Sequence, residues 1–297
     1  MLFRSNALDK LKSLTGFYYE ANETAQELGY EPIREVGISA QDVQKIMPEV
    51  VAPAPIDDKY LTVRYERLVP LLIEAIKEMS ESFQSFIANL GHAISNGLPG
   101  IKAQFLMAPP GRGKSYPDLE KTGGYLTGAV CILLYEKEGS LHIPIIERTN
   151  YDGVHSGQLA LPGGKLDIND KNIETCALRE THEEIGVLVS DERIIGQLTK
   201  LYIPPSNFMV HPLVAWHPQQ PHFLRNEREI NKIHEMPLKS LFDEKSYCLK
   251  TVTTRPGIQF ESPGIKLNNE IIWGATAMML SELKVLIETF TEPGKNL

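Results

Sequence analysis

Hydrophobic residues from Tyr65 onward recur at spacings of three and four, which is the pattern of one face of an α-helix. This stretch predicts a helix of about 25 residues that ends near Gly91. Ahead of it, composition and spacing favour two short strands and one short helix, in FYYE, EVGIS and AQDVQKIMPEVV respectively. Residues 1–90 are therefore predicted to form a small α+β domain that ends in a long helix.

The pattern changes again at Tyr125, where a second domain is predicted over residues 125–297. β-branched and aromatic residues favour strands in YLTGAVCILLY, LHIPIIER and QLALPGG, the last of which runs into a Gly turn. The segment ETCALRETHEEIGV favours a helix, because Asp170 or Asn172 is a suitable N-terminal cap and Gly186 a natural stop.

Gly and Pro are frequent between these two parts, and residues 91–124 are predicted to be a linker or an N-terminal extension of the second domain. Residues 108–115, APPGRGKS, almost match the phosphate-binding pattern G-x4-G-K-S. That loop needs a strand before it and a helix after it, and Pro117 with Gly123 and Gly124 disfavours the helix. We therefore predict a solvated loop here.

Composition sets limits on the class of protein. The chain has 297 residues, of which 42% are hydrophobic and 23% charged, which is typical of a globular protein of about two domains. Residues 1–78 carry 9 Lys and Arg against 13 Asp and Glu, and the rest of the chain carries 21 against 25, so both parts have a net charge of −4. Neither part has the basic excess that nucleic-acid binding requires.

Membrane insertion and disulfide bonding are also disfavoured by the sequence. The longest apolar run, Ala129 to Tyr135, is far shorter than a bilayer span, and the first residues lack the apolar core of a signal peptide. A cytoplasmic location is therefore expected. The cysteines are three, widely spaced and without a CxxC pair, so we expect buried free thiols at Cys131, Cys176 and Cys248.

Three carboxylates in the predicted helix suggest chemistry. Glu180, Glu183 and Glu184 stand at i, i+3 and i+4, so they project from one helix face. Clustered carboxylate oxygens suit a hard divalent cation such as Mg²⁺ or Mn²⁺, which commonly bridges protein carboxylates and substrate phosphates. The alternative is a solvated acidic face. The preceding Gly pair and Arg179 favour a metal and phosphate site, because they allow close backbone approach and place a cation beside the carboxylates.

Gly164 through Val187 resembles the Nudix box, whose second half is matched by RETHEEIGV. One extra residue precedes Arg179, and Asp167 and Asp170 stand where the general pattern has its first Glu; this looks like the coenzyme A pyrophosphatase branch of the family. The upstream signature of that branch resembles IIERTNYDGVHSGQLALPGG, with Thr for Ser, Asp for Leu and Leu for Phe at single positions. The resemblance covers about residues 97–290.

This resemblance implies an α/β/α sandwich with a mixed sheet, an α+β fold class, and a metal-dependent diphosphatase. It implies Mg²⁺ or Mn²⁺ held by Glu180, Glu183 and Glu184, with catalytic roles for Glu183, Glu184 and Arg179. Arg179 would orient the carboxylates by pairing. The general base would be Glu183 or a group in a later loop, where Glu227 and Glu229 are candidates. Implied substrate-binding residues are Arg148, His155, Gly163, Gly164 and Lys165, with Arg112 as a further candidate for a phosphate contact.

The implied substrate is a small molecule, coenzyme A or a derivative. The implied products are 4′-phosphopantetheine and adenosine 3′,5′-bisphosphate. Two alternatives remain: hydrolysis of another nucleoside diphosphate derivative such as ADP-ribose, and a non-enzymatic assembly module whose Nudix part is inert.

The second alternative comes from the N-terminal part. GISAQDVQKIMPEVV and KYLTVRYERLVPLLIEAIKEM resemble the intramolecular chaperone domain of phage tail spikes, the peptidase S74 family, over residues 7–78. Members of that family trimerise and cut themselves with a serine and a lysine in an upstream S-D-x-x-L-K segment. This sequence lacks that segment, so self-cleavage is not expected. A homo-oligomer formed through the N-terminal domain and helix remains open, as does an apolar stripe that packs within its own domain.

Overall fold

The computed structural model describes residues 6–27, 29–55, 57–112, 124–149, 157–253, 257 and 259–291. The chain divides into two compact units, Met1–Ser85 and Phe86–Leu297. Among the described residues, no helix combines the length and hydropathy needed to cross a bilayer. The predicted division into 1–90, 91–124 and 125–297 stays a prediction.

The first unit is built from short elements and the start of one long helix. In chain order these are α1 (Ala7–Lys12), β1 (Gly16–Tyr19), α2 (Glu23–Glu27), β2 (Glu35–Ile38), α3 (Ala40–Ile46), β3 (Val51–Pro53), β4 (Leu61–Val63) and α4 (Val69–Asn96). β1 pairs with β2 and β3 with β4, both antiparallel. A small core gathers apolar side chains of α1, α3 and α4, among them Ala7, Val43 and Leu71. The strands and the short helix predicted in this part are therefore present.

The long helix α4 continues past the predicted stop at Gly91 and ends at Asn96. A single Gly inside a helix costs about 1 kcal/mol relative to Ala and does not by itself end the helix. Beyond Gly91, the side chain of Ile94 packs against Gly196 of a later strand, and this packing offsets that cost. Gly97, with φ of +135°, follows the last helical residue.

The second unit contains the remaining elements. They are α5 (Ile101–Gln104), β5 (Leu126–Lys137), β6 (Ser140–Arg148), β7 (Leu159–Ala160), β8 (Gly163–Lys165), α6 (Ile173–Ile185), β9 (Ile194–Gln197), β10 (Leu201–Ile203), β11 (Phe208–His217), β12 (Ile230–Pro237), β13 (Tyr247–Thr253), β14 (Gln259–Leu267), β15 (Glu270–Trp273) and α7 (Gly274–Ile287).

Its main sheet is mixed and follows the order β10-β11-β5-β6-β12, with β7, β8 and β9 paired to β6, β5 and β11. β11 runs parallel to β5, and the other pairs are antiparallel. Ala129, Cys131 and Leu133 of β5 are fully buried beside apolar residues of α6. α7 packs against α5 and the smaller sheet β13-β14-β15. The predicted α+β class with a mixed sheet is confirmed.

One local expectation was wrong. The segment QLALPGG does not end in a turn: it forms two short strands, and Gly163 and Gly164 belong to the second. Part of the segment predicted as a linker or an N-terminal extension contacts the rest of the second unit: Glu282 of α7 is fully buried and accepts hydrogen bonds from the Gly100 N–H and the Gln104 amide. A Gly-rich composition did not reveal this long-range contact, which fastens α5 to α7.

Candidate active site

Helix α6 carries the predicted carboxylates, and its ends form as the sequence indicates. The side chain of Asn172 accepts a hydrogen bond from the Thr175 N–H at 2.8 Å, so Asn172 is the cap and not Asp170. Gly186 follows the helix with a left-handed φ of +74°. α6 therefore presents Glu180, Glu183 and Glu184 on its second half.

Glu184 is the most deeply buried of the three, with 1% of its surface exposed. Its carboxylate accepts a hydrogen bond from the Gly163 N–H at 2.8 Å and lies 3.4 Å from the guanidinium of Arg148. Burial raises the pKa of Glu184 to about 7, against the opposing influence of Arg148 and the Gly163 N–H. A carboxylate in this position favours a neighbouring positive charge.

The Gly163–Gly164 pair brings the β8 backbone directly against this helix face. A Cβ at Gly164 would overlap the carboxylate of Glu180, and a Cβ at Gly163 would overlap the carbonyl of Ala129 in β5. Any other residue would move β8 away from β5 or from α6. The two glycines therefore fix the distance between the strand and the carboxylates.

Arg179 joins the acidic groups, as the sequence predicted. Its guanidinium donates two hydrogen bonds to Asp170, both at 2.9 Å, and further bonds to Glu180 at 2.8 Å and Glu183 at 2.9 Å. It also donates to the carbonyl of Lys165 at 3.2 Å. Hydrogen bonding to Arg179 lowers the pKa of Asp170 to about 2. Asp170 thus takes the place of the first box glutamate as the partner of this arginine.

The donor set fits a hard divalent cation. Burial raises the pKa of Glu180 as well as that of Glu184, so a bound cation would stabilise the ionised form of both carboxylates. Among the described residues no three acidic, His or Cys side chains are gathered as metal ligands, because Arg179 holds Glu180 and Glu183 and the Gly163 N–H holds Glu184. A cation bound by the Glu180 carboxylate would replace Arg179 as the partner of that carboxylate. Oxygen-only donors are the ones that Mg²⁺ and Mn²⁺ prefer.

The structure places the predicted substrate contacts differently from one another. Arg148, at the end of β6, lies inside the site and donates to the carbonyl of Gly163 at 3.0 Å. Lys165 directs its carbonyl to Arg179 and has an exposed side chain at the end of β8. His155 lies outside the residues that the structure describes. Arg112 is not merely solvated, as its guanidinium donates to the carbonyl of Tyr202.

The loop of residues 226–229, beside α6, makes contacts near the site that the sequence did not indicate. The Asn226 N–H donates to the Glu184 carbonyl at 2.9 Å, and the carbonyl of Glu229 accepts from Thr149, next to Arg148, at 2.9 Å. The negative charge of Glu229 further raises the pKa of Glu180 and of Glu184. The other candidate base, Glu227, is exposed and pairs with Arg225 at 3.1 Å.

Family models match both parts of the chain. Residues 125–250 match the NUDIX domain, and residues 3–52 match the chaperone of endosialidase, the peptidase S74 family. The second match covers residues 7–52 of the stretch 7–78 that resembles this family.

Curated relatives and solved structures were also found. A protein named Uncharacterized Nudix hydrolase NudL from Photorhabdus laumondii is 34% identical over 129 residues, which are 43% of this chain and 68% of that protein. Its namesake from Yersinia pestis strain Pestoides F is 31% identical over 139 residues, or 47% and 69% of the two chains.

Among solved structures, a MutT/nudix family protein from Enterococcus faecalis aligns with a TM-score of 0.41 and 19% identity over 59% of this chain and 65% of its own. The NUDIX domain of Shewanella oneidensis NrtR, complexed with ADP ribose, aligns with a TM-score of 0.34 and 19% identity over 42% and 79%. The NudL relatives and the box geometry decide the assignment: this chain belongs to the Nudix family and is a Nudix hydrolase, a metal-dependent enzyme that acts on a nucleoside diphosphate derivative.

Proposed function

We propose that the enzyme hydrolyses the diphosphate bond of coenzyme A or its derivatives, giving 4′-phosphopantetheine and adenosine 3′,5′-bisphosphate. The observation that carries the proposal is the position of Arg148. This residue of the upstream signature contacts both the Gly163 carbonyl and the Glu184 carboxylate, so signature and box form one site. The one-residue insertion before Arg179 also supports the coenzyme A branch of the family. In this chain the insertion occurs together with a pairing of Arg179 with Asp170.

Each side chain has a definite task in this proposal. Glu180, Glu183 and Glu184 would hold divalent metal, which supplies Lewis-acid stabilisation of charge on the phosphate oxygens. Arg179 is a positioning residue, because it fixes Glu180 and Glu183 and is itself fixed by Asp170. Glu183 is the first candidate to accept the proton of the attacking water, since 53% of its side chain is exposed. Glu229, whose negative charge further raises the pKa of Glu184, is the second.

Positive groups around the site suit a substrate with several phosphates. Arg148 lies within the site with 25% of its side chain exposed, and Lys165 stands beside the glycine pair. A guanidinium can contact two oxygens of one phosphate group, whereas an ammonium acts as a point charge. We assign Arg148 to the diphosphate and Lys165 to a flanking phosphate.

A substrate panel tests the proposal. Purified enzyme is incubated with coenzyme A, an acyl-coenzyme A, ADP-ribose and a dinucleoside polyphosphate, each with Mg²⁺ and with Mn²⁺, and the phosphate-containing products are identified. We expect the highest kcat/KM for coenzyme A or its acyl form. Cleavage of ADP-ribose with no cleavage of coenzyme A under either metal would replace this substrate with the ADP-ribose alternative.

A second proposed role, self-association, concerns the first unit. We propose that it pairs with other copies of the chain through its apolar surface. On this unit, large apolar side chains are exposed on β1, β2 and the start of α4: Phe17, Tyr18, Tyr19, Val36, Val69, Leu72, Ile73 and Ile76. Tyr18 and Val36 are each 67% exposed and directly opposite each other across the strand pair. Covering these side chains with another copy of the chain would remove apolar surface from water, which is favourable.

Light scattering on the full chain tests this association. Replacing Ile73 and Ile76 by Lys should reduce the measured mass to that of one chain, because two charges would have to be desolvated in the interface. Leu249→Lys is the matched control, since Leu249 is 61% exposed in the second unit. A monomeric wild-type protein at micromolar concentration would contradict the proposal.

A further inference from the structure

Asn226 organises the loop of residues 226–229 through its backbone. The Asn226 N–H donates to the Glu184 carbonyl at 2.9 Å, which fixes the loop to the last turn of α6. The Asn226 carbonyl accepts from the N–H groups of Glu229 at 3.1 Å and of Ile230 at 2.8 Å. The backbone of Asn226 therefore connects the helix that carries the box carboxylates to the residue that carries a further carboxylate, Glu229.

The side chain of Asn226 makes two more contacts inside the same loop. Its Oδ1 accepts from the Arg228 N–H at 3.2 Å, and its Nδ2 donates to the Glu229 carboxylate at 3.4 Å. A backbone N–H can only donate, so the first contact requires the amide oxygen on that side and leaves the NH₂ group for the carboxylate. One half-buried side chain thus shapes the turn and holds Glu229.

The far end of the loop is fixed to the other side of the site. The Glu229 carbonyl accepts from the Thr149 N–H at 2.9 Å. Thr149 follows Arg148, whose guanidinium lies 3.4 Å from the Glu184 carboxylate. The backbone of Glu229 is therefore held between β6 and α6, and the Asn226 amide holds its carboxylate.

The charge of Glu229 is unfavourable in this position unless a cation or a proton is added. It raises the pKa of Glu180 and of Glu184, as a like charge does. In the described part of the chain, the Glu229 carboxylate accepts a hydrogen bond from Asn226 and forms no ion pair with a lysine or an arginine. A neutral amide therefore holds this carboxylate without neutralising it.

Glu183, the other candidate to accept a proton, is held differently. Its carboxylate pairs with the guanidinium of Arg179 at 2.9 Å. An ion-paired carboxylate loses a favourable charge interaction when it takes up a proton, whereas a carboxylate held by an amide does not. The two partners therefore favour Glu229 over Glu183 as the acceptor of a proton.

We propose that Asn226 is a positioning residue for the hydrolysis, because it directs the Glu229 carboxylate toward the attacking water. In that step the water oxygen forms a bond to phosphorus, the bond from phosphorus to the bridging oxygen breaks, and one proton of the water passes to Glu229. Asn226 acts through Glu229 and not through the substrate. The inference rests on the proposed diphosphate hydrolysis, but not on coenzyme A as the substrate.

Steady-state kinetics of a double-mutant cycle test the proposal, with Mg²⁺ and the substrate that the wild type cleaves fastest. Asn226→Asp keeps the oxygen that accepts from the Arg228 N–H and replaces the donor to Glu229 by an oxygen that repels it. We expect kcat to fall about 10²-fold, as for a displacement of about 1 Å at a reacting group, with KM and melting temperature unchanged. Glu229→Gln should lower kcat at least as much, and adding Asn226→Asp to it should cause no further loss.

Asn22→Asp is the matched control for the added charge. The Asn22 side chain also accepts from a backbone N–H, that of Ala25 at 2.9 Å, in the first unit, and its kcat should equal that of the wild type.

Three results would overturn the proposal: wild-type kcat in Asn226→Asp, wild-type kcat in Glu229→Gln, or an equal effect of Asn226→Asp in both backgrounds, which is the behaviour of a merely structural loop residue. Cleavage of ADP-ribose without cleavage of coenzyme A would reject the proposed substrate and leave this cycle unchanged.

Discussion

The two compact units of this chain differ in what they bury and what they expose. The second unit buries the centre of its sheet, where residues 131–135 of β5 are 0% exposed. The first unit has a small core and, within the described residues, exposes more large apolar side chains than the second, although the second is more than twice as long. In the second unit, the carboxylate of Glu184 is buried, and burial raises its pKa to about 7.

This difference indicates a division of tasks. A buried carboxylate held by a backbone N–H and an arginine is a costly arrangement that chemistry can use. An apolar surface is costly in water unless another surface covers it. We therefore expect substitutions in the second unit to change catalysis, and substitutions on the surface of the first to change assembly alone.

The largest loss of catalytic activity is expected from Glu184→Gln. This change keeps the shape and leaves an amide oxygen for the Gly163 N–H, but removes the negative charge. We expect kcat to fall on the order of 10³-fold, as when a preorganised charged group is lost, with no loss of thermal stability. Glu192→Gln, an exposed residue of the same unit, is the control. If Glu184→Gln retained its activity, the assignment of catalysis to the second unit would be wrong.

Gly164→Ala should have the next largest effect. The added Cβ overlaps the Glu180 carboxylate, so either the helix or β8 must shift. A displacement of about 1 Å at reacting groups can reduce the rate about 10²-fold. Gly91→Ala is the control, because its Cβ would meet Ile195 at an ordinary 3.6 Å and the helix would gain a better helix former. Measurements of kcat and melting temperature on both variants test this prediction: Gly164→Ala should lower kcat, and Gly91→Ala should not.

A measurement of the unfolding free energy of Asp170→Asn sharpens the comparison between the two units. Arg179 lowers the pKa of Asp170 to about 2, from 3.8, so the ionised form is favoured in the folded state. Its stabilising contribution is present above pH 3.8 and is lost as the pH falls through 2. At pH 7 the variant should lose about 2 kcal/mol of unfolding free energy. Urea unfolding across pH 5 to pH 2 should show this difference shrinking in acid, whereas Asp191→Asn should show none.

The smallest effect on catalysis is expected from Ile73→Lys with Ile76→Lys. These exposed residues belong to the first unit, and surface substitutions usually change free energies by no more than about 0.5 kcal/mol. The activity per chain should stay within about two-fold of wild type. A tenfold loss, measured at equal chain concentration, would show that the two tasks are not separate.

Local structure was the part that the sequence predicted well. The cap of α6, its stop at Gly186 and the pairing of Arg179 with nearby carboxylates depend on residues within one or two helical turns. These interactions are determined by spacing and side-chain type, which a sequence displays directly. The buried free thiols of Cys131 and Cys176 are confirmed, whereas the prediction was wrong for Cys248, which is only half-buried in β13.

The sequence did not predict the long-range contacts. Nothing local to Gly91 reveals that Ile94 packs on Gly196, and nothing near Gly100 reveals its bond to Glu282. The approach of Glu229 to the site depends on the pairing of β12 with β6, which brings residues far apart in sequence together.

A competition experiment tests the central claim most directly. Equal concentrations of coenzyme A and ADP-ribose are incubated with the wild-type enzyme and Mg²⁺ or Mn²⁺ in one vessel, and both substrates are followed by mass spectrometry. We predict that coenzyme A disappears first, with equal amounts of 4′-phosphopantetheine and adenosine 3′,5′-bisphosphate formed, and that Glu184→Gln forms neither. Consumption of ADP-ribose while coenzyme A remains intact would contradict the account.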